Sequence, residues 1–340
     1  MTTIREDDFV QSIADALQFI SYYHPDDFIQ ALSSAWEKEQ SPAARDAIAQ
    51  ILVNSRMCAE GHRPICQDTG MVVVFVDVGM DVRWDSSMSL EQMVNEGVRR
   101  AYMRPDNLLR ASMVNDPLGA RRNTGDNTPA IIHTRLVPGD RVAVKLAAKG
   151  GGSENKARFT VLNPSASLVD WVLDVMPTLG AGWCPPGMLG IGVGGSAEKA
   201  MLLAKESLME HIDIQDLKAR GPQNRAEELR LEIYDKVNAL GIGAQGLGGV
   251  TTVLDVKIKD YPTHAASLPV ALIPNCAATR HLEFTLDGSG PAEMTPPRTE
   301  DWPNITWEAA ADARRVDLDT VTREDIASWR PGDRLLLSGK

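Results

Sequence analysis

Three cysteines sit where a core cysteine is not expected. Cys66 lies in RPICQDTG, Cys184 in GAGWCPPGMLG and Cys276 in IPNCAATRH. The first two adjoin Pro and Gly turn signals, and the third follows a short apolar strand beside Asn, Arg and His. Cys58, near the end of an amphipathic helix, reads as a small buried hydrophobe. Each of the other three has that reading when taken alone. Together, in polar or Gly/Pro loops, they point to a shared ligand. Structural zinc draws on cysteines paired at short spacing, and no C-x₂₋₄-C is present. A cubane iron–sulfur cluster needs no local pairing. Held by three thiolates, it leaves one iron open as a Lewis acid for a hydroxyl and a carboxylate. Spacing by itself leaves the buried and the cluster readings both open.

Anion-binding elements accompany the cysteines. The triple glycine of KGGGSENKARF lets backbone N–H groups approach a ligand closely, and Lys149, Ser153, Asn155 and Lys156 flank it with donors. RRNTGDNTPA (121–130) is a second polar turn cluster, Arg110 lies upstream of it, and Arg280 and His281 follow Cys276. A substrate with two carboxylates needs at least two such clamps. Taken singly, each cluster also reads as a solvated loop.

The elements that must position these residues alternate along the chain. Apolar residues recur at helical spacing through residues 1–60, with Ser41-Pro42 as a helix start and Gly61 as an end. Strands are predicted at 71–79, 141–149, 188–195, 251–261 and 268–275. Helices are predicted at 89–104, with a Ser-x-x-Gln capping box, and at 168–176, 196–209 and about 224–240. The fold class is therefore α/β, with mixed sheets, flanking helices and an N-terminal helical segment. Residues 1–286 form the main domain. The stretch 287–314, rich in Pro, Gly and acidic residues, reads as a linker, and 315–340 as the start of an incomplete second domain. Its RLLLSGK run reads as a strand with no visible sheet partner.

Composition limits the function classes. The chain of 340 residues is 43% apolar and 24% charged, ordinary for a globular protein with a sizeable core. A net charge of −11 argues against a broad nucleic-acid surface. MTTIREDDFV has no basic region followed by an apolar stretch, and no run of eighteen apolar residues occurs, so the expectation is a cytoplasmic protein with no membrane span.

Five motifs converge on one family. ICQDTG, GGGSENKARFTVLNPS, GAGWCPPGMLGIGVGGSAEKAMLLAKESLM, GIGAQGLGGVTTVLDVKIKDYPTHAASLPV and IPNCAATRH together resemble class I fumarate hydratase, the oxygen-sensitive iron–sulfur type, from about residue 40 to the end. The resemblance implies a [4Fe-4S] cluster on Cys66, Cys184 and Cys276. It implies acid–base work by Asp68 and substrate contacts by Gln67, Arg110 (with Arg104 near), a glycine of the 150–152 run assigned as Gly150, and His264. It further implies a hydro-lyase acting on a small dicarboxylate, fumarate and malate foremost, and a homodimer. Single-chain members continue into a C-terminal domain with a Gly-Pro-Thr-Thr motif, which is absent here. The expectation is a missing C-terminal domain, supplied by a second subunit or lost by truncation, and little activity from the chain alone.

Other classes compete. Relatives in the same superfamily dehydrate tartrate or hydrate a methylated fumarate. A non-catalytic iron–sulfur sensor would not need Asp68, His264 or the arginines. GIGVGG (190–195) matches a dinucleotide fingerprint, but its acid would have to end a second strand, and the segment around Glu210 is not strand-like. GIGAQG (241–246) matches the same pattern after a helix. No G-x-S-x-G elbow is present for a Ser-His-Asp triad.

Overall fold

The computed structural model describes residues 2–306 and 310–339. The chain divides into two compact units, Met1–Pro303 and Asn304–Lys340. The first opens with a short strand β1 (Thr2–Arg5) and helices α1 (Glu6–Tyr22), α2 (Asp26–Lys38) and α3 (Pro42–Gly61). Glu6, Asp7 and Asp8 in the first turn of α1 suit the positive end of its dipole. Ser41 caps α3, as its sequence predicts, and His62 ends it in the left-handed region at φ 47°. Then follow β2 (Met71–Gly79), β3 (Val82–Asp85), α4 (Leu90–Met103), β4 (Val114–Asn115), β5 (Arg122–Asn123), β6 (Ile131–Val137) and β7 (Val142–Lys149). The α4 capping box between Ser89 and Gln92 forms with both bonds.

One sheet has the order β12-β7-β2-β6, where β12 is His281–Leu286. Strand β2 runs parallel to β6 and antiparallel to β7. Its apolar run is buried on both faces, as MVVVFVDVG requires. On one face Val72, Val74 and Val76 meet Phe9, Ile13 and Leu17 of α1 and Met93, Val94 and Val98 of α4.

The remaining elements are α5 (Gly151–Glu154), β8 (Arg158–Leu162), α6 (Leu168–Thr178), β9 (Gly187–Gly194), α7 (Ala197–Ser207), α8 (Ile214–Arg220), α9 (Arg225–Ala239), β10 (Val253–Tyr261) and β11 (Leu268–Pro274). They build a second sheet of order β10-β9-β11-β8, with α6 and α9 on one face and α7 on the other. Val73 and Phe75, on the other face of the first sheet, pack with Ala147 and with Met209 beyond the end of α7.

Glycines set how close α7 comes. A Cβ on Gly190 would stand 2.2 Å from the Ala204 carbonyl oxygen, and one on Gly192 would stand 1.9 Å from that of Ala200. The two residues share one face of β9, so GIGVGG is a seat for a helix on a strand. The pattern that mimics a dinucleotide fingerprint has this packing cause.

Strands β6, β8 and β12 carry no clear sequence signal. Edge strands β6 and β8 expose Ile131, Leu136, Phe159 and Val161, so their apolar residues do not mark a buried face. The Pro/Gly-rich segment packs on the first unit through part of its length. Ala292 N–H donates to Ser12 Oγ at 2.9 Å, and Trp302, 6% exposed, donates Nε1–H to Ser55 Oγ at 2.9 Å.

The second unit holds β13 (Arg314–Asp317), α10 (Arg323–Ala327) and β14 (Leu335–Ser338). β13 and β14 pair in parallel. The RLLLSGK strand therefore has a sheet partner, contrary to its reading as a lone strand. The partner, RRVD, is too short and too charged to show in the sequence pattern.

Candidate functional site

Four strand ends converge. The Cys66–Gly70 loop enters β2, Lys149 and Gly150 leave β7, Cys184 precedes β9, and Cys276 follows β11. Met71 pairs with Lys149 across the first sheet, and Pro274 pairs with Leu189 across the second. The Lys149 ammonium joins the two sheets by donating to the Pro274 carbonyl at 2.8 Å. The topology thus gathers cysteines separated by over two hundred residues of sequence.

Cys184 sits in a strained turn. Its φ is 57°, in the left-handed region that side-chain-bearing residues rarely adopt. The turn is tied down on both sides. Cys184 N–H donates to Ala181 O, and Cys184 O accepts from Ala277 N–H at 2.9 Å, which links the Cys184 and Cys276 loops directly. Gln245, itself at φ 53°, donates both its backbone N–H and its Nε2–H to Pro185 O, each at 2.7 Å. Its loop is anchored by Glu39, a buried carboxylate that accepts from Val250 N–H at 3.0 Å. This gives GIGAQG a positioning role that its sequence pattern conceals. The signal available was Gln amid glycines, where a left-handed turn is needed.

All four cysteines are free. Cys58 is buried, Cys66 and Cys276 are partly exposed, and Cys184 is exposed. Packing around its sulfur and then the neighbouring Cys276 and Cys66 push the Cys184 thiol pKa up. Among the described residues, no three His, Cys, Asp or Glu side chains close around a single metal ion. A cubane cluster is a larger object than an ion and spaces its thiolates further apart. Three convergent soft sulfurs suit such a cluster and do not suit a hard cation.

Asp68 is held from several sides. Its Oδ2 accepts from Gly151 N–H at 2.7 Å, and its Oδ1 accepts from Gly70 N–H at 3.0 Å and from Ser112 Oγ–H at 3.4 Å. Its main-chain oxygen accepts from Arg280 Nη1 at 2.5 Å. Ser112 is fixed in turn, because its N–H donates to Asn127 Oδ1 at 2.7 Å. Asn127 lies in the polar turn cluster 121–130 picked out in the sequence, whereas Ser112 stands in no recognisable motif.

Gly150 leaves the space in front of this carboxylate open. Its φ of −68° suits any residue, so glycine serves clearance here. A Cβ would stand 3.3 Å from Asp68 Oδ2 and 3.4 Å from Arg280 Nη2. Gln67 is exposed, and its Oε1 accepts from Cys66 Sγ at 3.3 Å. Arg110 is exposed. Its carbonyl accepts from Thr69 Oγ1 at 2.5 Å, which places its backbone beside the Asp68 loop.

His264 lies apart. β9 and β10 are parallel, with Val253 opposite Gly187 and Tyr261 opposite Gly194. His264 follows the far end of β10, whereas Cys184 precedes the near end of β9. A length of eight strand residues, roughly 25 Å, separates them along the sheet.

His24 closes the back of the site. It is 1% exposed, Nδ1 lies 2.8 Å from Ser55 Oγ, and the ring rests against the Ala277 backbone with Nε2 unpartnered. Burial first, and the Arg280 cation after it, hold its pKa down at about 3 against the pull of the Ala277 backbone. An unfolded histidine titrates near 6.5. As pH falls from about 6.5 to about 3, the unfolded chain gains a proton that the folded chain refuses, and stability is lost by about 1.4 kcal/mol per pH unit. Below about 3 this contribution is flat. His24→Gln is expected to flatten the dependence of the urea midpoint on pH between 7 and 5. An unchanged slope would show that His24 does not set it.

The family model described as fumarate hydratase (fumerase) matches residues 10–285, most of the chain. The chain belongs to the fumarate hydratase family. This is the family its motifs resemble, and the assignment makes the chain a member of a hydro-lyase family. A second model, for the fumarase C-terminus, matches residues 288–340. The C-terminal family is therefore represented in this chain, which corrects the expectation that it is missing. Residues 315–340 read as the start of that domain in the sequence, but the match begins at 288, inside the Pro/Gly-rich stretch that resembles a linker.

The chain is also similar to curated relatives. It is 34% identical over 278 residues to the putative L(+)-tartrate dehydratase subunit alpha of Methanocaldococcus jannaschii, covering 79% of this chain and 94% of that protein. It is 29% identical over 271 residues to L(+)-tartrate dehydratase subunit alpha of Escherichia coli K12, covering 79% and 87%. Among the described residues no helix is long and apolar enough to cross a membrane.

Proposed function

We propose that this chain carries a [4Fe-4S] cluster on Cys66, Cys184 and Cys276 and is the cluster-bearing part of a cytoplasmic hydro-lyase interconverting fumarate and malate. The observation that carries the reading is the convergence of three free thiols from distant loops beside the anchored carboxylate of Asp68. When bound, the cluster supplies a Lewis-acidic iron to a substrate hydroxyl and carboxylate.

The chain's own residues do the rest. Removing water from a hydroxy acid requires a proton to leave the carbon next to a carboxylate, so a base must be aimed at a fixed point. Two backbone N–H groups fix the Asp68 carboxylate, which leaves it free lone pairs to take or return that proton. Gly150 keeps the approach clear, Gln67 stands beside Cys66 as a polar contact, and Arg110, exposed and with its backbone beside the Asp68 loop, would supply a guanidinium for a carboxylate. Gly150→Ala narrows the approach by one methyl group. The expected result is a KM raised by about tenfold, the rate equivalent of a modest overpacking cost of about 1.4 kcal/mol, with the melting temperature changed little. An unchanged KM would remove Gly150 from the substrate site.

The relatives named as alpha subunits support a partner subunit that completes the carboxylate clamps. In that case the chain alone holds the cluster but turns over little substrate. At this distance a substrate contact by His264 would have to come from a second copy of the chain, as in a homodimer.

L(+)-tartrate is the second reading, favoured by the relatives' names. It loses water by the same chemistry and differs from malate by one hydroxyl. The test is anaerobic reconstitution, iron and sulfide counting, and assay with malate, fumarate, mesaconate and L(+)-tartrate in the presence of any co-purifying subunit. Four irons with malate turnover support the proposal. Preference for tartrate moves the substrate, and a cluster indifferent to all four points to a sensor.

A further inference from the structure

The site holds more buried positive charge than its own carboxylates balance. Lys149 is 4% exposed and Arg280 is 2% exposed. Arg280 donates through Nη1 to a neutral carbonyl, and its Nε and Nη2 find no acceptor. Lys149 donates to the Ser153 hydroxyl and to Pro274 O. Its nearest carboxylate, Glu154, is 3.9 Å away and is more closely engaged by Lys205. One carboxylate therefore serves two ammoniums. Among the described residues the guanidinium makes no ion pair: Asp68, whose Oδ2 faces the same space in front of Gly150, is engaged by the Gly151 and Gly70 N–H groups instead. Both side chains line a cavity of about 10 Å³ with Asn275, next to Cys276. That is room for about one water and for no counter-ion of ordinary size. Leaving a buried charge uncompensated is costly, so the fold implies an anionic group on the far side of these cations.

We propose that Lys149 and Arg280 are the built-in counter-charge of the thiolate-held cluster and set its reduction potential. The inference rests on the cluster reading above. Three thiolates on a cubane give it net negative charge, and each added electron increases that charge. A fixed cation behind Cys276 favours the reduced form, as net charge and surroundings do in iron–sulfur proteins generally.

The experiment is a redox titration, followed by electron paramagnetic resonance, of the full chain reconstituted anaerobically. Lys149→Met is expected to lower the equilibrium constant for one-electron reduction by about tenfold, a downward shift of about 59 mV. Lys149→Arg, which keeps the charge, should restore the wild-type value. Arg280→Gln should shift the potential in the same direction, and it serves where Lys149→Met does not fold. A wild-type potential in a neutralised variant with a full cluster overturns the inference and leaves the cluster reading standing. A wild-type chain that takes up no cluster overturns both.

Discussion

Alanine at Cys66, Cys184 or Cys276 is expected to remove the cluster and to lower hydro-lyase turnover by at least about a thousandfold. That factor is the rate equivalent of the roughly 4 kcal/mol that a Lewis-acidic metal contributes. The three sites should behave alike, because a cubane held by two thiolates loses iron. Cys58→Ala is the internal control. Cys58 lies on α3, and its sulfur makes only long contacts to Asn54 Oδ1 at 3.7 Å and Pro64 O at 3.6 Å. Its loss should cost stability of about 1 kcal/mol and leave the iron content unchanged. Iron and sulfide analysis of the four variants checks this. Full iron in Cys184→Ala would disprove the ligand set, since Cys184 holds the most constrained backbone of the three.

Asp68→Asn carries the second large effect. The amide keeps the size of the carboxylate but cannot accept at both ends. One of the bonds from Gly151 N–H and Gly70 N–H must be lost, and the proton acceptor goes with it. The expected result is a kcat lower by about a hundred- to ten-thousandfold with iron and sulfide retained. Asp68→Ser, too short to reach either N–H, should lose the same activity. If Asp68→Asn keeps kcat within a few-fold, the base is another group. Loss of iron in Asp68→Asn would instead mean that the carboxylate serves the cluster loop.

Much of the site was legible before the fold. Cys66, Cys184 and Cys276 stood out because each occupies a Gly/Pro or polar loop, and loop chemistry is local. Asp68, Gln67 and Gly150 came with motifs around them. Gln245 was hidden, because its function is to hold Pro185, sixty residues away in sequence. His24 and Ser112 were hidden for the same reason. GIGVGG misled in the opposite direction: its glycines answer to the carbonyls of α7, which the pattern does not display.

By itself, the sequence determined the α/β class, the helices of the first sixty residues, the buried strand β2 and the set of cysteines that could share a ligand. These depend on periodicity, capping and turn chemistry within a few residues. Only the tertiary structure decided that the cysteine loops meet, that Lys149 and Arg280 are buried beside them with too few carboxylates, and that His264 stands at the far end of a sheet. Those facts depend on strand order and direction. β9 runs parallel to β10 and antiparallel to β11, so Cys184 and Cys276 share one edge of the sheet while the end of β10 goes to the other. Strand pairing across eighty residues is a long-range choice set by which apolar faces can be buried together, and no local spacing encodes it.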